Sequence, residues 1–399
     1  MRAGEPSTAP DPSSPRSGLA FAGVFALTFC GLVAVGAVLP VLPGYVKDEL
    51  GYGDVAVGVV IGCYAVSGLL LRPVAGRLAD RRGRKWTALG GALLLSAGGF
   101  LYLAPLGLGG LIVARLVLGV GEGALYTAGS AWIVDLSPLE RRGRVLGLYG
   151  LAVWGGLAVG PLLGSLIQNA AGFEEVWLLA ALLPLAGALA GLAVGDPFEP
   201  LAHAEPHPLV APEAVRPGIA VGLGAIGYAT IAAFVVLLLE KRGIDHGAAV
   251  FAAFAGAIVV GRLALGDLPD RIGPAPVAIG ATLAEAAGLL AIALAGSLPV
   301  ALLGGIGMGT GFALLNPSLM LIVVGKVSAA GRGAALGTFT AFFDAGVGVG
   351  APLAGLAAAL TSYEGAFVLA SVMALASAAT IYVTVHGRGA IPPPATPAG

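Results

Sequence analysis

Charged side chains are rare within the apolar stretches of this chain, and the few that occur there are the first candidates for chemistry. Arg115, Gly119, Glu122 and Tyr126 follow one another at spacings of four, three and four, which places them on one face of a helix. An ionisable residue inside a membrane costs roughly 2.5 to 3.5 kcal/mol, so we expect this face to line a cavity. There Glu122 would carry a proton or bind a cation, with Arg115 influencing its charge state. The alternative is a static ion pair that only holds helices together.

Further ionisable residues lie in apolar stretches, among them Asp344, Arg72 and Arg262. Asp344 is near the middle of its stretch, where an unpaired carboxyl would have to be protonated or face water. It is a second candidate for binding a proton, and the alternative is a structural partnership with a neighbouring helix. Arg72 and Arg262 each lie one helical turn before a glycine-containing turn and can reach the membrane interface. We therefore expect them to act in a gate or as anchors rather than as substrate ligands.

The elements that must position these residues are membrane-spanning helices. Of the 399 residues, 57 % are hydrophobic and 11 % are charged, whereas a soluble domain carries about 25 % charged residues. A helix of about 20 apolar residues is long enough to cross the hydrocarbon core of a membrane. Backbone polar groups cannot be left unpaired in lipid, and the sequence shows no alternating strand pattern, so the spans are expected to be helices. The sequence predicts twelve helical spans, at 18–42, 55–75, 86–105, 109–132, 145–168, 176–195, 217–239, 248–266, 276–296, 299–324, 334–359 and 364–385.

The chain is built from two like halves. The pattern Gly-x-Leu-x-Asp-Arg-x-Gly occurs at 76–83 and again at 266–273. We call the constant difference between these two sets of positions the repeat offset, and it also relates Arg72 to Arg262. Parallel repeats with a binding site between them are a transporter architecture. The predicted domains are a disordered leader at 1–17, a bundle at 18–195, a linker at 196–216, a second bundle at 217–386 and a disordered tail at 387–399.

The lysines and arginines near the ends of the spans predict the orientation. Most of them, such as Arg81 and Arg142, fall on one side, and only Lys47, Lys241 and Arg242 fall on the other. Because basic residues accumulate in cytoplasmic loops, we expect both termini and the linker to be cytoplasmic. The predicted location is the inner (plasma) membrane, crossed many times.

The turn at 76–83 resembles the cytoplasmic loop signature of the major facilitator superfamily, which implies two six-helix bundles. In that family the aspartate is thought to lie at the N-terminus of a helix in the opposite half, where the helix dipole favours a carboxylate by roughly 0.3 to 1 kcal/mol. The resemblance implies that Asp80 meets the start of span 11 and Asp270 the start of span 5, closing the cytoplasmic side. The residues assigned to this gate are Gly76, Asp80, Arg81, Gly83, Arg84, Asp270 and Arg271, together with Arg72 and Arg262.

Span 5 carries a second resemblance. Its residues Gly147, Gly156, Gly160, Pro161 and Gly164 follow the Gly-x8-Gly-x3-Gly-Pro-x2-Gly pattern associated with drug:proton antiporters of this superfamily, the multidrug and arabinose-efflux-permease-like group. The alternative is a face of small residues that lets neighbouring helices approach closely, with a bend at the proline.

The resemblance also implies roles for several residues of the spans. Span 4 borders the central pathway in this family, and Arg115 begins an Arg-x3-Gly pattern often assigned to proton transfer. Tyr228 and Asn316 fall on helices that border the pathway and would hydrogen-bond a substrate, or Asn316 would satisfy carbonyls freed by Pro317. Glu285 falls on a peripheral span, which implies a structural residue that is hydrogen-bonded in its protonated form.

Three of the four tryptophans, Trp132, Trp154 and Trp177, would stack on a flat apolar substrate. Trp132 and Trp177 lie near span ends and are explained more simply as interfacial anchors.

The resemblance as a whole implies a secondary transporter that exports small amphipathic molecules, such as drug-like compounds or metabolites, by proton antiport through alternating access. The alternative is a proton-coupled importer or facilitator of a sugar or an organic anion, for which Arg115 would anchor the substrate. We see no nucleophile and base pair, metal-ligand cluster or phosphate loop in the sequence, so we expect no enzyme, metal or cofactor. The expected partners are a small-molecule substrate, protons and the lipid bilayer, without nucleic acid, and the protein is expected to be a monomer.

Overall fold

Twelve long helices make up the computed structural model, which describes residues 15–137, 142–195, 210–327 and 332–386; these residues contain no strand. The helices are α1 (Pro15–Val38), α2 (Asp54–Arg82), α3 (Arg84–Tyr102), α4 (Gly107–Asp135), α5 (Arg142–Ala170), α6 (Phe173–Leu192), α7 (Pro212–Lys241), α8 (Ala248–Leu265), α9 (Pro274–Ala293), α10 (Leu298–Val324), α11 (Arg332–Leu360) and α12 (Tyr363–His386). Eleven segments are long and apolar enough to cross a membrane, and the remaining helix, α3, has 19 residues. The prediction of an all-helical membrane protein is confirmed.

The helices extend beyond several of the predicted spans. Helix α7 begins at Pro212, inside the stretch predicted as a linker, because proline is favoured in the first helical turn, where its missing N–H is not needed. Helix α2 continues past residue 75 to Arg82, since a helix does not have to end where its apolar segment ends. The predicted leader and tail, and the linker up to residue 209, lie outside the described residues, apart from the first turn of α1.

The two halves pack their helices in the same way. In the first half α1 packs against α5 and α6, α2 against α4, and α3 against α4 and α6. In the second half α7 packs against α11 and α12, α8 against α10, and α9 against α10 and α12. Each pairing recurs six helices later, as the repeat offset predicts. The chain thus forms an N-terminal bundle of α1–α6 and a C-terminal bundle of α7–α12.

The two signature turns end at glycines with matching backbone geometry. Gly83, between α2 and α3, has φ 103° and ψ 146°, and Gly273, before α9, has φ 94° and ψ 146°. A residue with a Cβ rarely adopts such a conformation, so glycine is needed where the chain leaves one helix and enters the next. The equal geometry shows that the repeated motif marks structurally equivalent turns.

The two bundles contact each other where α2 packs against α11 and where α5 packs against α8. On the side away from the signature turns, α2 and α11 approach each other closely through small residues. A Cβ on Gly62 would lie 2.7 Å from the carbonyl oxygen of Gly348 and 2.8 Å from Cδ of Pro352. This contact therefore depends on the absence of a side chain at position 62.

A polar contact joins the bundles on the same side. The Nζ atom of Lys47 lies 2.6 Å from Oδ1 of Asp54 and 2.6 Å from the hydroxyl of Tyr363, at the start of α12. The Tyr363 hydroxyl also donates a hydrogen bond of 3.1 Å to Asp54. We call these three residues the Lys47 network. Together with the Gly62 contact, it closes the interface between the bundles on this side.

A valine at position 62 is expected to force α2 and α11 apart. Overpacking a tight contact costs about 1 to 3 kcal/mol, which is enough to reduce the closed population severalfold. We expect the distance between spin labels attached at the exposed residues Val55 and Leu360, near the ends of α2 and α11, to shift to longer values. The matched control is Gly90→Val, because a Cβ on Gly90 meets nothing within 4 Å. An unchanged distance in the Gly62→Val protein would show that this contact does not set the closure.

Candidate functional site

A cavity of about 670 Å³ lies between the two bundles. The residues predicted for a central cavity all line it: Arg115, Glu122, Tyr126, Tyr228, Asn316 and Asp344. Arg72 and Arg262, which were predicted for a gate, line it as well. Because the lining comes from both bundles, a molecule bound here would contact both.

Arg72 joins the two acidic residues of the cavity. Its Nη2 donates a hydrogen bond of 3.2 Å to Glu122 on α4 and one of 3.3 Å to Asp344 on α11. Its Nε lies 2.8 Å from Oδ2 of Asp344. The exposed fractions of the three side chains are 20 % for Arg72, 11 % for Glu122 and 5 % for Asp344. We call these residues the charge cluster, and its Arg72–Asp344 pair crosses the boundary between the bundles.

The position of Arg72 corrects the expectation from the sequence that this side chain acts at the membrane interface. The guanidinium lies in the cavity, 5.4 Å from the ring centroid of Tyr126. The physical reason is that two carboxylates are within its reach, and pairing with them offsets part of the cost of withdrawing the charge from water.

Arg115 also differs from its predicted arrangement, because it is not paired with Glu122. Its Nε and Nη2 donate hydrogen bonds of 3.0 and 3.2 Å to the carbonyls of Val60 and Ile61 on α2, and its guanidinium lies 4.6 Å from the ring centroid of Tyr64. Seven residues along one helix correspond to about 10.5 Å of rise, which is too far for a direct ion pair. Arg115 therefore fixes α4 to α2 at the wall of the cavity.

Arg262 is the third guanidinium of the cavity. Its Cζ lies 5.6 Å from the ring centroid of Trp154 on α5, so this contact too crosses between the bundles. Within the described part of the chain no carboxylate pairs with Arg262, and its buried Nε has no hydrogen-bond partner. Arg262 thus differs from Arg72 in carrying a charge that no neighbouring acid neutralises.

Aromatic rings from four helices surround this part of the cavity. Trp154 lies 5.4 Å from Phe312 and 6.4 Å from Tyr228, and Phe343 lies 5.9 Å from Phe312, all measured between ring centroids. These four residues are the aromatic cluster. Such offset and edge-to-face contacts are the favourable geometries of aromatic pairs, so the cluster forms a stable apolar wall.

Three residues singled out in the sequence lie elsewhere. Glu285 is fully buried on α9, and neither carboxyl oxygen has a hydrogen-bond partner among the residues described, so the prediction of a hydrogen-bonded acid is wrong. Trp132 is buried and donates a hydrogen bond of 3.1 Å to the carbonyl of Gly195. Trp177 is buried against Tyr102. Both tryptophans are packing residues rather than interfacial anchors.

Comparison with known proteins identifies the family of this helical arrangement. A sequence model of the Major Facilitator Superfamily matches residues 24–331 and 218–398. The chain belongs to the Major Facilitator Superfamily. It is therefore a multi-pass membrane transporter, and the coarse interpretation of the sequence is confirmed.

Relatives within the Major Facilitator Superfamily match nearly the whole chain. An uncharacterized MFS-type transporter of Salmonella typhimurium is 34 % identical over 373 residues, which cover 91 % of this chain and 96 % of the relative. An uncharacterized MFS-type transporter of Pseudomonas aeruginosa is 35 % identical over 386 residues, which cover 94 % of this chain and 95 % of the relative.

Solved structures of low sequence identity share the fold. The nucleoside transporter NupG aligns with a TM-score of 0.79 at 15 % identity, covering 91 % of this chain and 99 % of that one. The human organic anion transporter MFSD10 aligns with a TM-score of 0.70 at 18 % identity, covering 92 % of this chain and 100 % of that one.

Among the described residues, the aspartates of the two superfamily signature turns make no side-chain hydrogen bond or ion pair with the opposite bundle. Asp80 is half exposed and lies 4.0 Å from Arg84, one turn further along the chain. Asp270 is exposed, and Arg271 pairs with Asp267. The first side chains of α5 and α11, which the family resemblance places opposite these aspartates, lie outside the described residues. The gate contacts of Asp80 and Asp270 therefore stay predictions.

The glycines of the antiporter-like pattern pack α5 against α1. A Cβ on Gly160 would lie 2.6 Å from the carbonyl oxygen of Val33, and one on Gly156 would lie 3.0 Å from that of Phe29. Gly147 lies within α5, at a position whose surroundings are not described. This arrangement explains the pattern as close helix packing, which is compatible with antiport and does not decide it.

The Lys47 network and the Arg72–Asp344 pair were not predicted from the sequence. For the pair, the signal was present in the repeat: the repeat offset relates Asp344 to Trp154, and each approaches, in the opposite bundle, one of the two arginines that the same offset relates. For the Lys47 network no comparable signal exists, because the repeat offset relates Lys47 to the uncharged Leu237.

Proposed function

We propose that this protein exports small amphipathic molecules in exchange for protons, by alternating access of its two bundles to a central cavity. The observation that supports this most is the charge cluster. Arg72 pairs with an acid of its own bundle and with an acid of the other bundle, within a cavity large enough for a small molecule. A proton taken up there changes the force that holds the bundles together.

The proposed cycle follows from the charges. When Asp344 is ionised, its pair with Arg72 ties α11 to α2. A proton on Asp344 removes that attraction, so the bundles can rock against each other, and Glu122 keeps Arg72 paired during the movement. Glu122 and Asp344 are the proposed proton carriers, and Tyr126, Tyr228 and Asn316 are proposed to contact the substrate.

The proposal includes a direction across the inner membrane. With the basic loops and both termini in the cytoplasm, the Lys47 network lies on the outer side, and the state described is closed there. In the alternate state the loops of Asp80 and Asp270 would close the cytoplasmic side. Export is favoured by the resemblance of the α5 glycines to those of drug:proton antiporters.

Proton movement in proteoliposomes tests this function. Vesicles containing the purified protein and the pH dye pyranine are given gradients of three probes of equal shape: naphthalene-2-sulfonate, naphthalene-2-sulfonamide and a naphthyl trimethylammonium ion. We expect a gradient of at least one probe to drive protons in the opposite direction, and Glu122→Gln to slow this movement about tenfold, since it removes one charged hydrogen bond worth roughly 1.5 to 3 kcal/mol.

The matched control is Glu285→Gln, the same substitution at a buried acid that does not line the cavity. It is expected to leave the coupled proton flux at the wild-type rate. Full proton-coupled activity of the Glu122→Gln protein would contradict the role of Glu122. Transport of a probe with no proton movement in the wild-type protein would end the antiport proposal.

A further inference from the structure

The repeat symmetry is broken at two of the three arginines of the cavity. The repeat offset relates Arg72 to Arg262, and it relates the two acids that neutralise Arg72 to aromatic residues: Glu122 to Phe312 and Asp344 to Trp154. The place that Asp344 takes beside Arg72 is thus taken beside Arg262 by the indole ring of Trp154. One half of the cavity holds a neutralised arginine and the other half an arginine among aromatic rings.

The charges of the cavity do not balance. Among the residues that the structure describes, the lining carries three guanidinium groups, on Arg72, Arg115 and Arg262, and two carboxylates, on Glu122 and Asp344, which leaves 3 − 2 = 1 positive charge when all are ionised. Both carboxylates bind Arg72. A cavity of this composition attracts an anion and repels a cation.

Arg262 is the guanidinium that is free to bind such an anion. Arg72 is held by two carboxylates, and Arg115 donates to two backbone carbonyls of α2. Arg262 has no partner of either kind within the described part of the chain. Trp154 contacts the guanidinium through the face of its ring, and no described residue accepts a hydrogen bond from Nη1 or Nη2, which leaves these two groups available for a bidentate contact with a carboxylate or sulfonate.

The aromatic residues that line the cavity next to Arg262 indicate the chemistry of the uncharged part of the ligand. Trp154, Tyr228 and Phe343 line the cavity and present ring surface to it, with Phe312 buried behind them. Flat aromatic rings are favoured against such a surface through stacked and edge-to-face contacts. The complementary molecule has an anionic head beside Arg262 and an aromatic body against these rings.

We infer that Arg262 and the aromatic cluster form a binding subsite for an aromatic organic anion, which is the substrate class of this transporter. The inference rests on the proposed function and names the molecule that its central cavity carries. It replaces the expectation from the sequence that Arg115 would anchor an anion, because the Nε and Nη2 atoms of Arg115 already donate to backbone carbonyls of α2.

Equilibrium binding to the purified protein in nanodiscs tests the subsite without any proton gradient. The probes are naphthalene-2-sulfonate and naphthalene-2-sulfonamide, which share the ring and differ in charge. We expect the wild-type protein to bind the sulfonate at least about tenfold more tightly, since a charge-assisted bidentate contact distinguishes the two. Arg262→Gln is expected to bring the two affinities together, and Arg262→Lys to retain part of the preference.

A second pair of variants separates charge from packing. Trp154→Asp would place beside Arg262 the acid that Asp344 provides beside Arg72, whereas Trp154→Asn has nearly the same size without the charge. Both lose ring contact, but only Trp154→Asp is expected to abolish the preference for the sulfonate. Arg77→Gln, at an exposed arginine of α2, serves as the control and is expected to bind both probes as the wild type does.

Two results would overturn the subsite: a wild-type protein that binds the sulfonamide as tightly as the sulfonate, or an Arg262→Gln protein that is folded and keeps the full preference. Either result leaves the proton-exchange proposal standing if a naphthyl trimethylammonium gradient still drives protons. Conversely, sulfonate binding that depends on Arg262 without any coupled proton flux would support the subsite and contradict antiport.

Discussion

Proteoliposomes containing the Arg72→Met protein are expected to show proton-driven transport at least about 100-fold below the wild-type rate. Removing one partner of a buried ion pair costs about 3 to 5 kcal/mol, and each tenfold change in rate corresponds to about 1.4 kcal/mol. Arg72 is the shared partner of Glu122 and Asp344. Without it, neither acid could release a proton into the cavity without leaving an unpaired anion there. The measurement is the initial rate of probe movement driven by a pH gradient.

Two further substitutions are compared with Arg72→Met, one as a control and one as a conservative replacement. Arg77→Met removes an exposed arginine from the same helix and is expected to leave the rate unchanged. Arg72→Lys keeps the charge but loses the planar fork that reaches both carboxylates, so we expect an intermediate rate. If the Arg72→Met protein is folded and retains more than half of the wild-type rate, the charge cluster is not the coupling element.

Substitution of Asp344 by Asn is expected to separate transport from proton coupling. Asp344 is the acid of the charge cluster that belongs to the C-terminal bundle, and it makes the shortest contact with Arg72, 2.8 Å. In the Asp344→Asn protein we expect accumulation of probe against its gradient to fall at least about 100-fold, by the cost of breaking a buried pair. Exchange of labelled for unlabelled probe should persist, because that process needs no net proton release.

The two assays use the same vesicles, so a folding defect would reduce both and is recognised at once. Asp267→Asn, at an exposed acid that pairs with Arg271 near the second signature turn, is the matched control and is expected to affect neither assay. Accumulation at the wild-type level by the Asp344→Asn protein would contradict a role for Asp344 in proton coupling.

The fold was predictable because it depends on properties that sequence records directly. Twelve apolar stretches of membrane length predict twelve helices, and a repeat that holds register across a whole half of the chain predicts two equivalent bundles. The predicted spans differ from the observed helices at the helix ends. Helix α2 continues through its basic residues to Arg82, because it ends where Gly83 adopts a positive φ and not where the hydrophobic segment stops.

The lining of the cavity could be predicted, but its pairings could not. Spacing along α4 correctly places Arg115 and Glu122 on the cavity side, yet helical periodicity gives only a direction and not a partner on another helix. Arg115 binds carbonyls of α2, and Arg72, whose neighbours in sequence suggested an interface anchor, binds an acid 272 residues away. Contacts of this kind depend on how the two bundles meet.

Transport of an anion through the Arg262 subsite would have an energetic consequence for the cell. If one proton enters for each monovalent organic anion that leaves, both movements carry positive charge inward. Each elementary charge contributes about 2.3 kcal/mol per 100 mV of membrane voltage, so the exchange gains about 4.6 kcal/mol from an interior-negative potential of that size. Such a carrier would be electrogenic and would continue to expel its cargo in a cell that has lost its acidity difference but remains polarised.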